Sequence, residues 1–304
     1  MIEELGKYKN GNYMVTIYED GTKVRFTKDD EFYPAFAENC DVKITDKCSM
    51  GCPFCYEGCT PAGMHADLNN SMIRKILDSL HPWTEFALNG NDLDHPQLLE
   101  FLVELQKRDI IANITVNVNQ FMDNFEKIKA MKDNDLVYGI GISYTERNHD
   151  AVFRSKQLSD VVFHTIAGVT TPEMYRDLLD NRCKVLVLGY KELQRGVSWK
   201  ENNASEFEKN MQWLKDNLDH FMKTAQVASF DNLALEQLNV KSHLTPAEWD
   251  TFYMGDDGSF TFYIDLVKCE YAKNSLSKER FPIENKDINE MFKHIISLKN
   301  GTTE

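Results

Sequence analysis

Past residue 40, short β-branched apolar runs take turns with stretches whose apolar residues recur at helical spacing. The runs are DVKITD (41–46), TEFALNG (84–90), ITVNVN (114–119), LVYGIGISY (136–144), VVFHTIAG (161–168) and KVLVLGY (184–190). HPQLLEFLVELQKR and FMDNFEKIKAMK read as helices after the second and third runs. Thr171-Pro172-Glu173 reads as a helix start, with Thr as cap and Pro in the first turn. Such alternation predicts an α/β fold with parallel strands joined by right-handed crossovers.

The flanks have other rhythms. YMVTIYE and KVRFTK surround Asp20-Gly21, which predicts a β-hairpin over 12–34. It reads either as a lid on the bottom of the main sheet or as a free edge that captures an extended peptide. After the sixth run, Phe207, Met211, Trp213, Leu214, Leu218 and Phe221 lie near helical spacing over 203–222. VASF then predicts a last strand ending at Phe230, with Asp231 and Asn232 at its tip, facing substrate or making a turn. Thr245-Pro246-Ala247-Glu248 is a capping box. FYMGDDGSFTFYIDLVKCEY predicts a second hairpin about Asp257-Gly258, and DINEMFKHIISLKN a closing amphipathic helix. With no repeat and no linker, one domain with decorations is expected: an N-terminal hairpin (1–39), a central unit (40–235) and a C-terminal extension (236–304).

Composition narrows the function. Of 304 residues, 42% are apolar and 27% charged, which is globular composition. No apolar run reaches the roughly 18 residues of a membrane helix, and MIEELGKYKN lacks the order of a secretory signal. The expectation is a cytoplasmic protein with no membrane partner. Lys and Arg number 34 against 48 Asp and Glu, a net charge of −14. That disfavours nucleic acid, whose binding needs a basic surface, and accommodates a neutral or basic partner such as a peptide.

Seven cysteines stand at 40, 48, 52, 55, 59, 183 and 269, five of them within NCDVKITDKCSMGCPFCYEGC. An odd count without a secretory signal points to metal rather than disulfides. Cys48, Cys52 and Cys55 form C-x3-C-x2-C. Three thiolates so spaced can hold three irons of a 4Fe-4S cluster and leave the fourth open, since full ligation takes four cysteines. Two alternatives stand beside this: half of a zinc site at Cys52 and Cys55, or a closed site completed by Cys40 or Cys59.

With Phe54 just before the third cysteine, the motif resembles the radical S-adenosylmethionine (SAM) superfamily. The resemblance implies a partial (β/α)6 TIM-like barrel with its chemistry at the carboxyl ends of the strands. It implies that SAM chelates the open iron through its amino and carboxylate groups. The reduced cluster then cleaves SAM to methionine and a 5′-deoxyadenosyl radical, which abstracts a hydrogen atom from substrate. The electron comes from an external one-electron donor. Where the family carries Gly-Gly-Glu after the second strand, this chain has Asn89-Gly90-Asn91; the Glu is absent, but an amide oxygen can accept from an ammonium group. Ser143, on the fourth strand, is the expected ribose or carboxylate contact, or else a plain strand-end hydroxyl. His164-Thr165-Ile166-Ala167-Gly168 matches the family's G-x-I-x-G except at its first residue, placing Ile166 on the adenine and Gly168 where backbone approaches it. By analogy with radical epimerases that use a thiol, Cys269 and Cys59 are candidates to return a hydrogen atom. The substrate expected is a peptide or protein; a small metabolite or nucleoside, and a noncatalytic metal scaffold, are the competing readings.

Overall fold

Nearly all of the strand and helix order read above is present in the computed structural model, which describes residues 3–89 and 92–299. Strands β1 (Glu4–Asn10), β2 (Tyr13–Tyr18) and β3 (Lys23–Phe26) form a small antiparallel sheet. The others are β4 (Asn39–Lys43), β5 (Glu85–Asn89), β6 (Ile111–Asn117), β7 (Gly139–Ser143), β8 (Val161–Ile166), β9 (Lys184–Leu188), β10 (Val227–Phe230), β11 (Thr261–Asp265), β12 (Glu270–Ala272) and β13 (Phe281–Pro282). They join in one sheet of order β10-β9-β8-β7-β6-β5-β4-β11-β12-β13. Strands β4 to β11 run parallel to one another; β12 is antiparallel to β11, and β13 to β12.

Side-chain alternation gives this sheet two unlike faces. Cys40 and Val42, Phe86 and Leu88, Ile114 and Val116, Ile140 and Ile142, and Val185 and Val187 are buried in one apolar core. Helical residues such as Ile73, Leu77, Phe101, Leu105, Ile128 and Leu178 belong to that core, where each fully buried side chain contributes about 1.5–3 kcal/mol. The opposite face is polar. One row across it reads Tyr263, Asp41, Ala87, Asn113 and Gly139, and another Asn117, Ser143, His164 and Leu186.

The N-terminal sheet acquires a strand the sequence did not announce, since ELGKYKN has one apolar aliphatic residue and no clean alternation. It covers the amino end of the main sheet. Lys23 pairs with Glu85 at 2.6 Å and Arg25 with Glu38 at 2.8 Å, while Lys184 donates to the Asp20 carbonyl at 3.3 Å. Of the two readings of the hairpin, this placement matches the lid.

The C-terminal segment differs from expectation. Gly258 has φ +77°, so a turn does form at Asp257-Gly258, but no strand precedes it. Asp257 instead accepts from the side-chain amides of Asn232, at 2.6 Å, and Asn274. The hairpin turn lies between β11 and β12, where Asp265 Oδ1 accepts from the backbone of Val267 and Lys268 and Cys269 takes φ +56°. Nor is β11 a decoration: it pairs with β4, residue 261 opposite residue 39. The expected helix over 203–222 is two, Ala204–Asp216 and Leu218–Thr224, preceded by the unforeseen helix Arg195–Asn202.

Candidate metal and cofactor site

Strand β4 delivers the cysteines to the carboxyl end of the parallel sheet. The excursion that carries them is closed at its base by backbone hydrogen bonds: Asp46 N to Met64 O at 2.8 Å, Cys48 N to Thr60 O at 2.9 Å, and Ala66 N to Ile44 O at 2.9 Å. A buried lysine anchors it from below. Lys43 Nζ lies 2.5 Å from Asp46, 2.8 Å from Glu57 and 3.7 Å from Asp265. Burial works to lower the Lys43 pKa, but Glu57, Asp46 and Asp265 outweigh it and the ammonium is held above its ordinary range.

The three motif thiols are partly buried and free. Burial raises the Cys48 and Cys52 pKa values, and the neighbouring thiols add to it, Cys55 acting on Cys48 and both Cys55 and Cys48 acting on Cys52. All three stand on the one loop that follows β4, within eight consecutive residues. Cys55 is held well below the ordinary thiol range, chiefly by a hydrogen bond from the Cys59 thiol, with burial opposing and the backbone of Cys59, Glu57 and Gly58 assisting. Asn117 Nδ2 stands 4.0 Å from Cys52 Sγ. Among the described residues, no three His, Cys, Asp or Glu side chains converge as ligands of a single ion would. The donor set, soft thiolates grouped on one loop, fits an iron–sulfur cluster, whose irons each take their own cysteine.

The remaining cysteines separate. Cys40 is fully buried on the helix-facing side of β4, where burial lifts its pKa well above the ordinary range. It therefore points away from the loop and does not complete a ligand set. Cys183 is buried at the start of β9. Cys269 is exposed at the β11–β12 turn, its thiol 3.8 Å from Leu266 O.

The expected SAM contacts lie along the carboxyl ends of neighbouring strands. Asn89 ends β5, and its Oδ1 is buried without a hydrogen-bond partner among the described residues. A buried acceptor left open is costly unless something donates to it. Gly90 and Asn91 lie outside the described residues. Ser143 ends β7 opposite His164. Ile166 ends β8, packed partly against the core. Gly168 has φ +80°, and a Cβ there would come within 2.3 Å of the Phe207 ring, so packing as well as backbone conformation demands glycine. Phe54 meets Trp199 edge-on, with ring centroids 5.8 Å apart.

Other polar side chains stand on or beside this face. The His164 ring overlies Gly141, where a Cβ would fall 2.3 Å from Cε1. Burial pushes this imidazole down to about 4, so it is neutral. Lys191 Nζ sits 4.1 Å from the centre of the Tyr56 ring and donates to Ser275 Oγ at 3.3 Å. Asp231, expected at a strand tip, caps the following helix, accepting from Gly189 N and Ala234 N.

Asp41 yields a pH-dependent expectation. Burial raises its pKa from an ordinary 3.8 to about 6, against the pull of Lys191. The folded state therefore favours the protonated acid, and ionisation above pH 6 costs stability that is not lost below pH 4. Discounted for the surface Asp41 keeps open to solvent, the cost is about 1–2 kcal/mol. Asp41→Asn should raise the melting temperature at pH 7.5 and leave it unchanged at pH 3.5; equal shifts at both values would refute the assignment.

No family model matches the sequence, and no curated protein does. Solved structures do. SuiB of Streptococcus suis bound to precursor peptide SuiA superposes with TM-score 0.57 at 11% identity, covering 85% of this chain and 65% of that one. A second crystal structure of Streptococcus suis SuiB gives TM-score 0.54 at 10% identity, covering 96% of this chain and 88% of that one. The chain thus spans 65% of the length of the peptide-bound SuiB. At such identities the likeness is one of architecture, and this chain has the fold of SuiB.

Proposed function

We propose that this protein is a radical SAM enzyme, with Cys48, Cys52 and Cys55 holding a 4Fe-4S cluster and SAM lying across the carboxyl ends of β5, β7 and β8. The observation that carries the reading is the three-cysteine loop at the carboxyl end of a parallel strand, its thiols free and partly buried, in a chain with the fold of SuiB. When bound, the cluster and SAM supply a one-electron cleavage that ends in hydrogen-atom abstraction from substrate, with the electron from an external donor. The residues of the chain do the rest. Asn89 Oδ1 accepts from the SAM amino group, Ser143 meets the ribose or carboxylate, and Ile166 lies on the adenine. Phe54 packs the cluster loop, and Gly168 lets the β8 turn close. The sheet curves as a partial barrel over residues 40–235, with β11 of the C-terminal segment paired onto it at β4.

A peptide is the substrate this reading favours. Support comes from the acidic net charge, the polar face of the sheet and the precursor peptide bound to SuiB. The hydrogen bonds of Asn232 to Asp257 and of Lys191 to Ser275 support a second reading, a small metabolite, because they tie the C-terminal segment to the residues that follow β10 and β9. Nucleic acid and membrane form no part of either, and the cytoplasm suits an oxygen-sensitive cluster. The Cys59 bond to Cys55 supports a role in tuning that ligand; Cys269, exposed, is the remaining thiol for hydrogen return.

The test is anaerobic reconstitution with iron and sulfide, then SAM and a strong reductant. Released 5′-deoxyadenosine is expected. Bound zinc with no SAM cleavage would establish the scaffold instead. Stimulation of release by the peptide fraction of a cell extract, or by its small-molecule fraction, separates the two substrates.

A further inference from the structure

The turn after β9 reaches back to the cysteine loop. Arg195 Nε donates to Cys52 O and Arg195 Nη1 to Cys59 O, both at 3.0 Å. One planar guanidinium thus ties together two carbonyls that bracket the third cysteine. The preceding residue, Gln194, is held at φ 48°, ψ −125°, a conformation that a residue with a side chain seldom adopts. Such a backbone persists only where its surroundings fix it. Here the Gln194 side chain lies against Gly58, 3.2 Å from where a Cβ would stand, and the Tyr190 hydroxyl donates to Gly196 O at 2.6 Å. Trp199, one turn on, meets Phe54. Turn and loop interlock through four residues of one and three of the other.

We propose that Arg195 is the positioning residue of the cysteine loop: its fork fixes the Cys52 and Cys59 carbonyls before any metal binds, and its charge stays beside the thiolates afterwards. The inference rests on the reading that this loop holds the cluster. Arg suits both tasks, since its fork is rigid and its charge permanent. The charge is at hand, since Arg195 Nε lies 3.0 Å from the carbonyl oxygen of Cys52, itself one of the three motif cysteines. Lysine would preserve the charge without the fork, and glutamine would remove the charge.

The experiment compares wild type, R195K and R195Q. In metal-free protein, amide hydrogen exchange over residues 48–60 should be about ten- to hundredfold faster in both variants, the loss expected for charge-assisted hydrogen bonds. After reconstitution, both should release iron faster to a chelator. The cluster midpoint potential should fall in R195Q and stay near wild type in R195K, a split that a purely structural role would not produce. Loop exchange in R195Q equal to wild type overturns the proposal, as does a potential that R195Q and wild type share. If the variants do not fold, wild type alone decides: residues 48–60 and 195–202 should open at one common rate, and independent opening overturns the interlock. A wild type that assembles no iron–sulfur chromophore removes the cluster reading, while the metal-free exchange still judges the hold of Arg195 on the loop.

Discussion

Cys52→Ala protein, reconstituted under anaerobic conditions, is expected to lose most of its iron and to release 5′-deoxyadenosine only at background. Cys48→Ala and Cys55→Ala should do the same, because each of three irons depends on its own thiolate. The other cysteines make this a test of the site and not of cysteine in general. Cys40 lies in the apolar core and Cys183 at the amino end of β9. Their alanine variants should keep wild-type iron and lose about 1 kcal/mol of stability, as core truncations do. Cys59→Ala removes the hydrogen bond to Cys55 and should retain iron. Iron loss in Cys59→Ala as complete as in Cys52→Ala would mean four protein ligands and no open iron, and the proposed chemistry would fall.

Lys43→Met is expected to destabilise the protein by about 3 kcal/mol, because removing one partner of a buried ion pair strands the other charges. Three carboxylates lose their cation: Asp46 and Glu57 in the cysteine loop and Asp265 at the end of β11. For a chain of this size that corresponds to a melting temperature lower by about 6–10 °C. The sign of the pH dependence follows from the Lys43 pKa, which is raised above its ordinary value. The stabilisation is fully present below about pH 10.4 and fades only as pH rises beyond it. Melting curves of wild type and variant should therefore stay parallel between pH 6 and 8. A difference under 2 °C would show that the lysine is merely tolerated.

What the sequence disclosed follows the range of the forces involved. The six strands were legible because alternation and β-branched residues act locally, and the metal trio because three ligands share eight consecutive residues. The β11–β12 turn was not, since Leu266–Cys269 contains no glycine or asparagine and relies on Asp265 to hold it. Asp41, Lys191 and Tyr56 come from three separate segments, and only strand register and the cysteine loop set them near one another. Arg195 carried no motif because its partners are backbone carbonyls, which every residue possesses. His164 was visible as the departure from glycine in the fifth strand, and Gly141 explains why the larger ring fits.

The pairing of residue 39 with residue 261 bears on how the protein matures. While a ribosome is still making the chain, β4 has β5 on one side and nothing on the other, and Lys43 lacks the carboxylate that β11 brings. The segment bearing the three ligands is thus held firmly only late in translation. Cofactor insertion belongs after synthesis, and a nascent chain stalled before β11 would expose the cysteine strand as a sticky edge.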